Sequence, residues 1–203
     1  IQYIGDIFSL FELYANKKGI ETEMRSDVES FYTRFDHDAI EKIITNLFSN
    51  AIKYTTENGF LGVKINQVTE TEATELGLPP KVDTGYMSVA ITNTGTEIPD
   101  DKKEEIFESF KRLTSGRPAF EESTGLGLSI VKELVSSLDG IVTLHSGDSK
   151  VTFTVILPFS LNAGKTKSDV VSYEYTISEI DNILAGSEEE ININDKRSRK
   201  AYS

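Results

Sequence analysis

Apolar side chains recur at helical spacing in some stretches of the chain and at every second position in others. Ile4, Ile7, Phe8, Phe11, Tyr14 and Ala15 predict a helix over residues 1–18, and Gly19 after Lys17-Lys18 is its expected stop. Ile20, Thr22 and Met24 alternate with polar residues and predict a strand over 20–25, closed by a turn at Ser26-Asp27. Phe31 to Phe35 reads as a second strand. Ile40, Ile43, Ile44, Leu47, Phe48 and Ala51 form one stripe and predict a helix over about 37–55, with Asp36 or Asp38 as its N-cap.

Asn58-Gly59 is a turn signal, and Leu61, Val63 and Ile65 alternate along a strand from Phe60 to Val68. Residues 69–85 are acidic and hold Gly77, Pro79, Pro80 and Gly85, so they read as a solvated loop or hairpin tip. Tyr86–Thr92 predicts a further strand, which Asn93-Thr94-Gly95-Thr96-Glu97-Ile98-Pro99 ends in a glycine turn. Asp101 and Glu104 have capping-box spacing and predict a helix over 101–110 that carries Ile106, Phe107 and Phe110. Residues 111–124 read as a long mobile loop of the kind that forms lids. Gly125-Leu126-Gly127-Leu128 then opens a helix whose apolar face is Ile130, Val131, Leu134, Val135 and Leu138, stopped by Asp139-Gly140. Ile141–His145 and Val151–Leu157 predict two strands joined at Gly147-Asp148, and Pro158 closes the folded region. From 160 to 203 the composition becomes that of a linker or tail; Ile177, Ile180, Ile183 and Leu184 mark at most one short amphipathic helix.

Composition narrows the classes. The 203 residues are 38% hydrophobic and 27% charged, enough for a packed domain, here residues 1–159, with 160–203 as its appendage. A net charge of −12 argues against binding nucleic acid or docking directly on an anionic membrane. The absence of Cys excludes disulfides and thiolate chemistry. No run has the roughly 18 apolar residues of a membrane-spanning helix, and no signal peptide is visible. A cytoplasmic, reducing location is expected. The chain begins Ile1-Gln2-Tyr3 without Met, as a segment of a longer parent would.

Chemistry concentrates between residues 46 and 129. Asn46, Asn50 and Lys53 lie four and then three residues apart, so two carboxamides and an ammonium share one helix face beside the apolar stripe. Such a rim suits a magnesium ion and a phosphate chain, although an ordinary amphipathic helix also has a polar edge. Gly125 and Gly127 let backbone amides approach a ligand at the positive end of the following helix. No Lys-Ser or Lys-Thr follows these glycines, which excludes a Walker-type loop, and no strand leads into them as a dinucleotide fingerprint requires.

The order of these parts resembles the ATP-binding catalytic domain of sensor histidine kinases, within the superfamily that includes type II topoisomerases, the large heat-shock chaperone and mismatch-repair ATPases. Residues 46–55 resemble its N box, 93–98 a degenerate first glycine box, Ile106–Phe110 its F box and Thr124–Ser129 its second glycine box. The resemblance covers about residues 1–159. It implies an α+β fold, the two-layer α/β sandwich known as the Bergerat fold, with a mixed, mostly antiparallel sheet of about five strands on three helices. It also implies ATP and Mg2+ as ligands. Asn50 would be the metal ligand, with Asn46 beside metal and phosphates. Lys53 would contact phosphate and Tyr54 would pack on the adenine, with Asn93, Gly95 and Ile98 around the base. Lys111, Arg112 and more weakly Arg117 would meet the phosphates from the loop. Thr124, Gly125, Leu126, Gly127 and Leu128 would surround the triphosphate.

Two departures bear on activity. The first glycine box usually opens with Asp, whereas this chain has Asn93, which still accepts a hydrogen bond from an amino group but without charge assistance. The box's second glycine is replaced by Glu97. These departures motivate an alternative, a degenerate nucleotide-binding or scaffolding module without phosphotransfer. Members that hydrolyse ATP unaided carry a Glu one turn before the metal-binding Asn; Asn46 stands there and cannot take a proton, and Glu41 is out of phase. Transfer of the γ-phosphate to an acceptor from outside is therefore favoured over hydrolysis. Neither His37 nor His145 lies on a long coiled-coil-like helix, so the acceptor is expected on a His-containing dimerisation domain of the same parent. A response-regulator receiver domain is the expected downstream partner, tethered through 160–203 in a hybrid kinase. The parent would be anchored in the inner membrane, and the isolated segment a monomer.

Overall fold

A computed structural model describes residues 1–28, 35–79, 83–110 and 125–160. The elements, in chain order, are α1 (Gln2–Lys17), β1 (Glu21–Ser26), α2 (His37–Tyr54), β2 (Phe60–Val68), α3 (Glu70–Glu75), β3 (Thr84–Thr94), α4 (Gly127–Ser137), β4 (Ile141–Gly147) and β5 (Lys150–Ser160). One five-stranded sheet runs β1-β2-β3-β5-β4. β1 pairs with β2 in parallel and every other pair is antiparallel. The parallel pair needs a crossover, and α2 is that crossover.

The alternation along the strands sends Leu61, Val63, Ile65, Val89, Ile91, Val151, Phe153, Val155 and Leu157 to one face, which α1, α2 and α4 cover. Ile7, Phe11, Ile43, Leu47, Phe48, Ile52, Val131 and Val135 are the helical half of this core, each at most 1% exposed. Each such side chain contributes about 1.5–3 kcal/mol of burial, so the core fixes how α2 sits on the sheet. Phe8, Phe11 and Phe48 pack ring against ring at 5.2–5.8 Å between centroids.

The helix stops follow the sequence. Asp36 caps α2, its Oδ1 accepting from the Ala39 N–H at 3.0 Å. Gly19 and Asp139 take left-handed φ of 70° and 57° after α1 and α4, and the amides of Ile20 and Gly140 return to Ala15 and Val135.

Four expectations change. Within residues 69–85, expected as loop, Thr69 and Glu72 form a reciprocal capping box that starts α3. Its Ala73 joins Leu78, Tyr86 and Ile156 in a small second core on the far side of the sheet. The helix expected over 101–110 is instead two short 3-10 turns, Asp100–Lys102 and Glu105–Phe107. Neither has a side-chain cap; burial of Ile106 and the edge contact of Phe107 with Phe153 at 6.1 Å hold the segment, and Phe110 turns out of it at φ 65°. The β4–β5 turn lies one residue later than expected, with Asp148 and Ser149 both left-handed at φ 53° and 57°, a primed two-residue hairpin. Three helices carry the main core as expected, and α3 is a fourth. Of the strand expected at Phe31–Phe35, residues 31–34 lie outside the described residues, and Phe35 stands outside any strand against His37 and Tyr3. The tail 161–203 also lies outside them.

Candidate functional site

Core packing turns α2 so that Asn46, Asn50 and Lys53, all partly buried, edge its apolar face. Asn46 to Tyr54 spans about 12 Å along the axis at the α-helical rise. Asn46 Nδ2 donates to the Lys42 carbonyl at 2.7 Å, which fixes the amide's direction. Its Oδ1 then faces Gly127, where an added Cβ would come within 2.7 Å of it. Only glycine lets the start of α4 approach this carboxamide so closely. The Asn50 side chain has no hydrogen-bond partner among the described residues. Tyr54, at the helix end, is 58% exposed.

The first turn of α4 supplies the second wall. Leu126 occupies its N-cap position and gives no side-chain cap to the leading amides of this eleven-residue helix. Such amides, with the helix dipole behind them, attract anions. Gly125 precedes them at φ 73°, and its carbonyl accepts from the Phe110 N–H at 3.0 Å, so the two flanks of the 111–124 stretch meet. Leu128 and Ile98 pack against the main core and so act as walls of the site.

The third wall is the end of β3 and the segment after it. Asn93 is 3% exposed; its Nδ2 donates to the Thr94 carbonyl at 3.2 Å, and its Oδ1 accepts nothing among the described residues. The amide therefore presents an acceptor. Gly95 is a glycine for a local reason: an added Cβ would lie 2.6 Å from the Tyr54 carbonyl oxygen. That close approach locks the end of β3 to the end of α2, joining Asn93 to Tyr54. Glu97 turns away from this junction, and its Oε1 accepts from the Ser149 N–H at 2.8 Å.

Sequence reasoning missed the partners of Glu97 and Ile98, namely Ser149 and Ser146. Nothing local marked them, because Asp148-Ser149 lacks the Asn-Gly chemistry usual in such turns. Lys111, Arg112, Arg117 and Thr124 lie outside the described residues. Glu41 is buried and accepts from the Tyr3 hydroxyl at 3.0 Å, on the α1 side of α2 and away from Asn46. His37 begins α2 beside Tyr3, and His145 is exposed on β4 opposite Thr152.

Together these walls offer neutral oxygens, an ammonium, helix-start amides and one carboxamide acceptor further along. Among the described residues no group of three His, Asp or Glu forms a metal cage. A hard divalent ion here would bind through a carboxamide oxygen, phosphate and water, and the donor set fits that chemistry. Among the described residues no helix is long and apolar enough to cross a membrane.

Comparison with known proteins shows the family. The profile of the histidine kinase-, DNA gyrase B- and HSP90-like ATPases matches residues 35–161. The chain belongs to that family of ATP-binding domains. Hybrid signal transduction histidine kinase D of Dictyostelium discoideum is 32% identical over 180 residues, which are 88% of this chain and 11% of that protein. The chain thus spans about a tenth of that relative's length. The nucleotide-free catalytic domain of histidine kinase ThkA superposes with a TM-score of 0.63 at 25% identity, over 80% of this chain and 94% of that one. ThkA in complex with the response regulator TrrA shares the fold, with a TM-score of 0.59 at 24% identity, over 80% of this chain and 41% of that one. Within its family the chain is a histidine-kinase ATPase domain of the two-component type.

Proposed function

We propose that the chain binds ATP with Mg2+ and presents the γ-phosphate to a histidine on a dimerisation domain of the same parent protein. One observation carries this reading: the Asn46 carboxamide abuts Gly127 at the start of α4, so the polar edge of α2 and the leading turn of α4 line one cleft. In that cleft Asn50 Oδ1 holds the metal and Asn46 lies beside it. Lys53 and the amides that follow Gly125 bind the phosphate chain. Tyr54 and Asn93 Oδ1 receive the base, the latter accepting from its amino group. When bound, the metal neutralises charge on the phosphate oxygens during transfer. The chain's own contribution is positioning; Asn46 stands where a base for water would be needed and cannot take a proton. Lys111, Arg112 and Thr124 are assigned to the phosphate end by their place in the motif order.

A receiver domain is the proposed recipient after the histidine, in line with the hybrid kinase among the relatives. Residues 160–203 are proposed as the linker toward it. A cytoplasmic setting suits a chain without Cys.

The test is an ATP titration with and without Mg2+, followed by addition of a separate His-containing dimerisation domain. Binding and transfer are expected. No binding at millimolar ATP refutes the proposal. Binding without transfer to any supplied domain supports the alternative of a nucleotide-binding module, which Asn93 and Glu97 motivate.

A further inference from the structure

Glu97 occupies a place where the family pattern has glycine, which reads at first as loss of function. Its contacts suggest otherwise. The segment after β3 is tied to the β4–β5 hairpin by three hydrogen bonds. The Gly95 N–H donates to the Ser149 carbonyl at 3.0 Å, the Ser149 N–H donates to Glu97 Oε1 at 2.8 Å, and the Ile98 N–H donates to Ser146 Oγ at 2.8 Å. Ser149 is thus held on both sides of its residue by the segment 95–97. It is also one of two consecutive non-glycine residues with left-handed φ, a conformation that costs about 1 kcal/mol or more and needs outside support.

The same segment meets α2. Gly95 lies against the Tyr54 carbonyl, the Thr56 N–H donates to the Thr94 carbonyl at 3.4 Å, and Thr94 Oγ1 accepts from the Phe60 N–H at 2.9 Å. Residues 94–98 therefore bridge the hairpin on one side and the Asn93–Tyr54 junction on the other. We infer that Glu97 is a positioning residue for the nucleotide base: it clamps the hairpin to the loop that follows Asn93 and so fixes the base-facing wall. The clamp itself rests on geometry alone, while its effect on the base rests on the nucleotide reading given above. A carboxylate that accepts a main-chain N–H makes a stronger bond than a neutral acceptor, which suits an exposed position such as this one.

The opposing reading, a glycine lost from a binding loop, gives the opposite sign. If Glu97 merely obstructs the ligand, Glu97→Ala should tighten ATP binding. If it clamps, Glu97→Ala should weaken binding about 5-fold, the equivalent of one hydrogen bond of about 1 kcal/mol. The experiment uses the whole chain as wild type, E97A and E97Q, with ATP and Mg2+ as the probe. Amide hydrogen exchange without nucleotide reads the clamp, and calorimetric titration reads the base. The expected result is faster exchange at Ser149 in E97A, with interior β3 and β5 amides unchanged, together with the weaker binding. E97Q, which keeps an acceptor, should return both to within about 2-fold of wild type. Unchanged exchange at Ser149 would overturn the clamp. Faster exchange with unchanged or tighter ATP binding would overturn its positioning role. Failure of the wild type to bind ATP would overturn both the positioning role and the nucleotide reading, and the exchange data would still report the clamp by itself.

Discussion

Asn46 and Gly127 are paired by a geometry that only a glycine permits. Gly127→Ala would put a methyl group 2.7 Å from Asn46 Oδ1. The obstacle is the tip of a flexible side chain, and alanine favours helix over glycine by about 1 kcal/mol. Stability should therefore hold or rise slightly in a thermal melt while ATP affinity falls about 10-fold, because Asn46 is pushed from its place. Asn50→Ala should abolish Mg2+-dependent binding, read as loss of the difference between titrations with and without the ion. Asn93→Asp should move two quantities in opposite directions. A carboxylate is the stronger acceptor for an amino group, so ATP should bind more tightly, by about 1 kcal/mol. The same carboxylate is buried and has lost the N–H that reaches the Thr94 carbonyl, so the melting temperature should fall.

Secondary elements here are set partly by local code and partly by what they touch. Gly95 shows the second influence. A Cβ there would meet the Tyr54 main chain first, at 2.6 Å, so Gly95→Ala should destabilise the fold by about 1–3 kcal/mol in urea denaturation. α3 shows the first. Glu72 accepts from the Thr69 N–H and hydroxyl, and the main-chain bond first, the hydroxyl second, hold its carboxyl below the usual carboxylate range. A lowered folded value means that this stabilisation is present above the unfolded pKa of Glu and lost as pH falls through the folded one. Amide protection in α3 should accordingly decrease on acidification into that range, and the Glu72→Gln variant should show a weaker dependence. The Thr69-x-x-Glu72 spacing was readable, but the Gly and Pro residues that follow it pointed to loop. The opposite error arose at Asp101 and Glu104, where the spacing is present and no cap forms. Burial of Ile106 and the Phe107–Phe153 contact dictate short turns there instead.

The molecule as a whole is a sheet with α1, α2 and α4 on one face and α3 on the other, and its cleft lies where α2, the start of α4 and the end of β3 converge. No single element contains the site. A chain built in this way should bind nucleotide yet turn it over slowly by itself. Incubated alone with ATP and Mg2+, it should release phosphate slowly and take up no label on His37 or His145. Rapid release would contradict the role given to Asn46.

Periodicity determined the five strands of the sheet, the three core helices and the polar edge of α2, because each depends on residues close together in the chain; the mixed sheet was implied by the family resemblance. The spacing of Asn46, Asn50 and Lys53 and the Gly-x-Gly before α4 were likewise legible, while their reading as an N box and a second glycine box came from the resemblance. Tertiary structure decided what those residues face. It set the Asn46 carboxamide against Gly127, turned Glu41 toward Tyr3, spent the freedom of Gly95 on the Tyr54 carbonyl, and gave Glu97 a partner 52 residues away in the chain. Contacts of that kind arise only when distant segments pack on a common sheet, so no local pattern in the sequence encodes them.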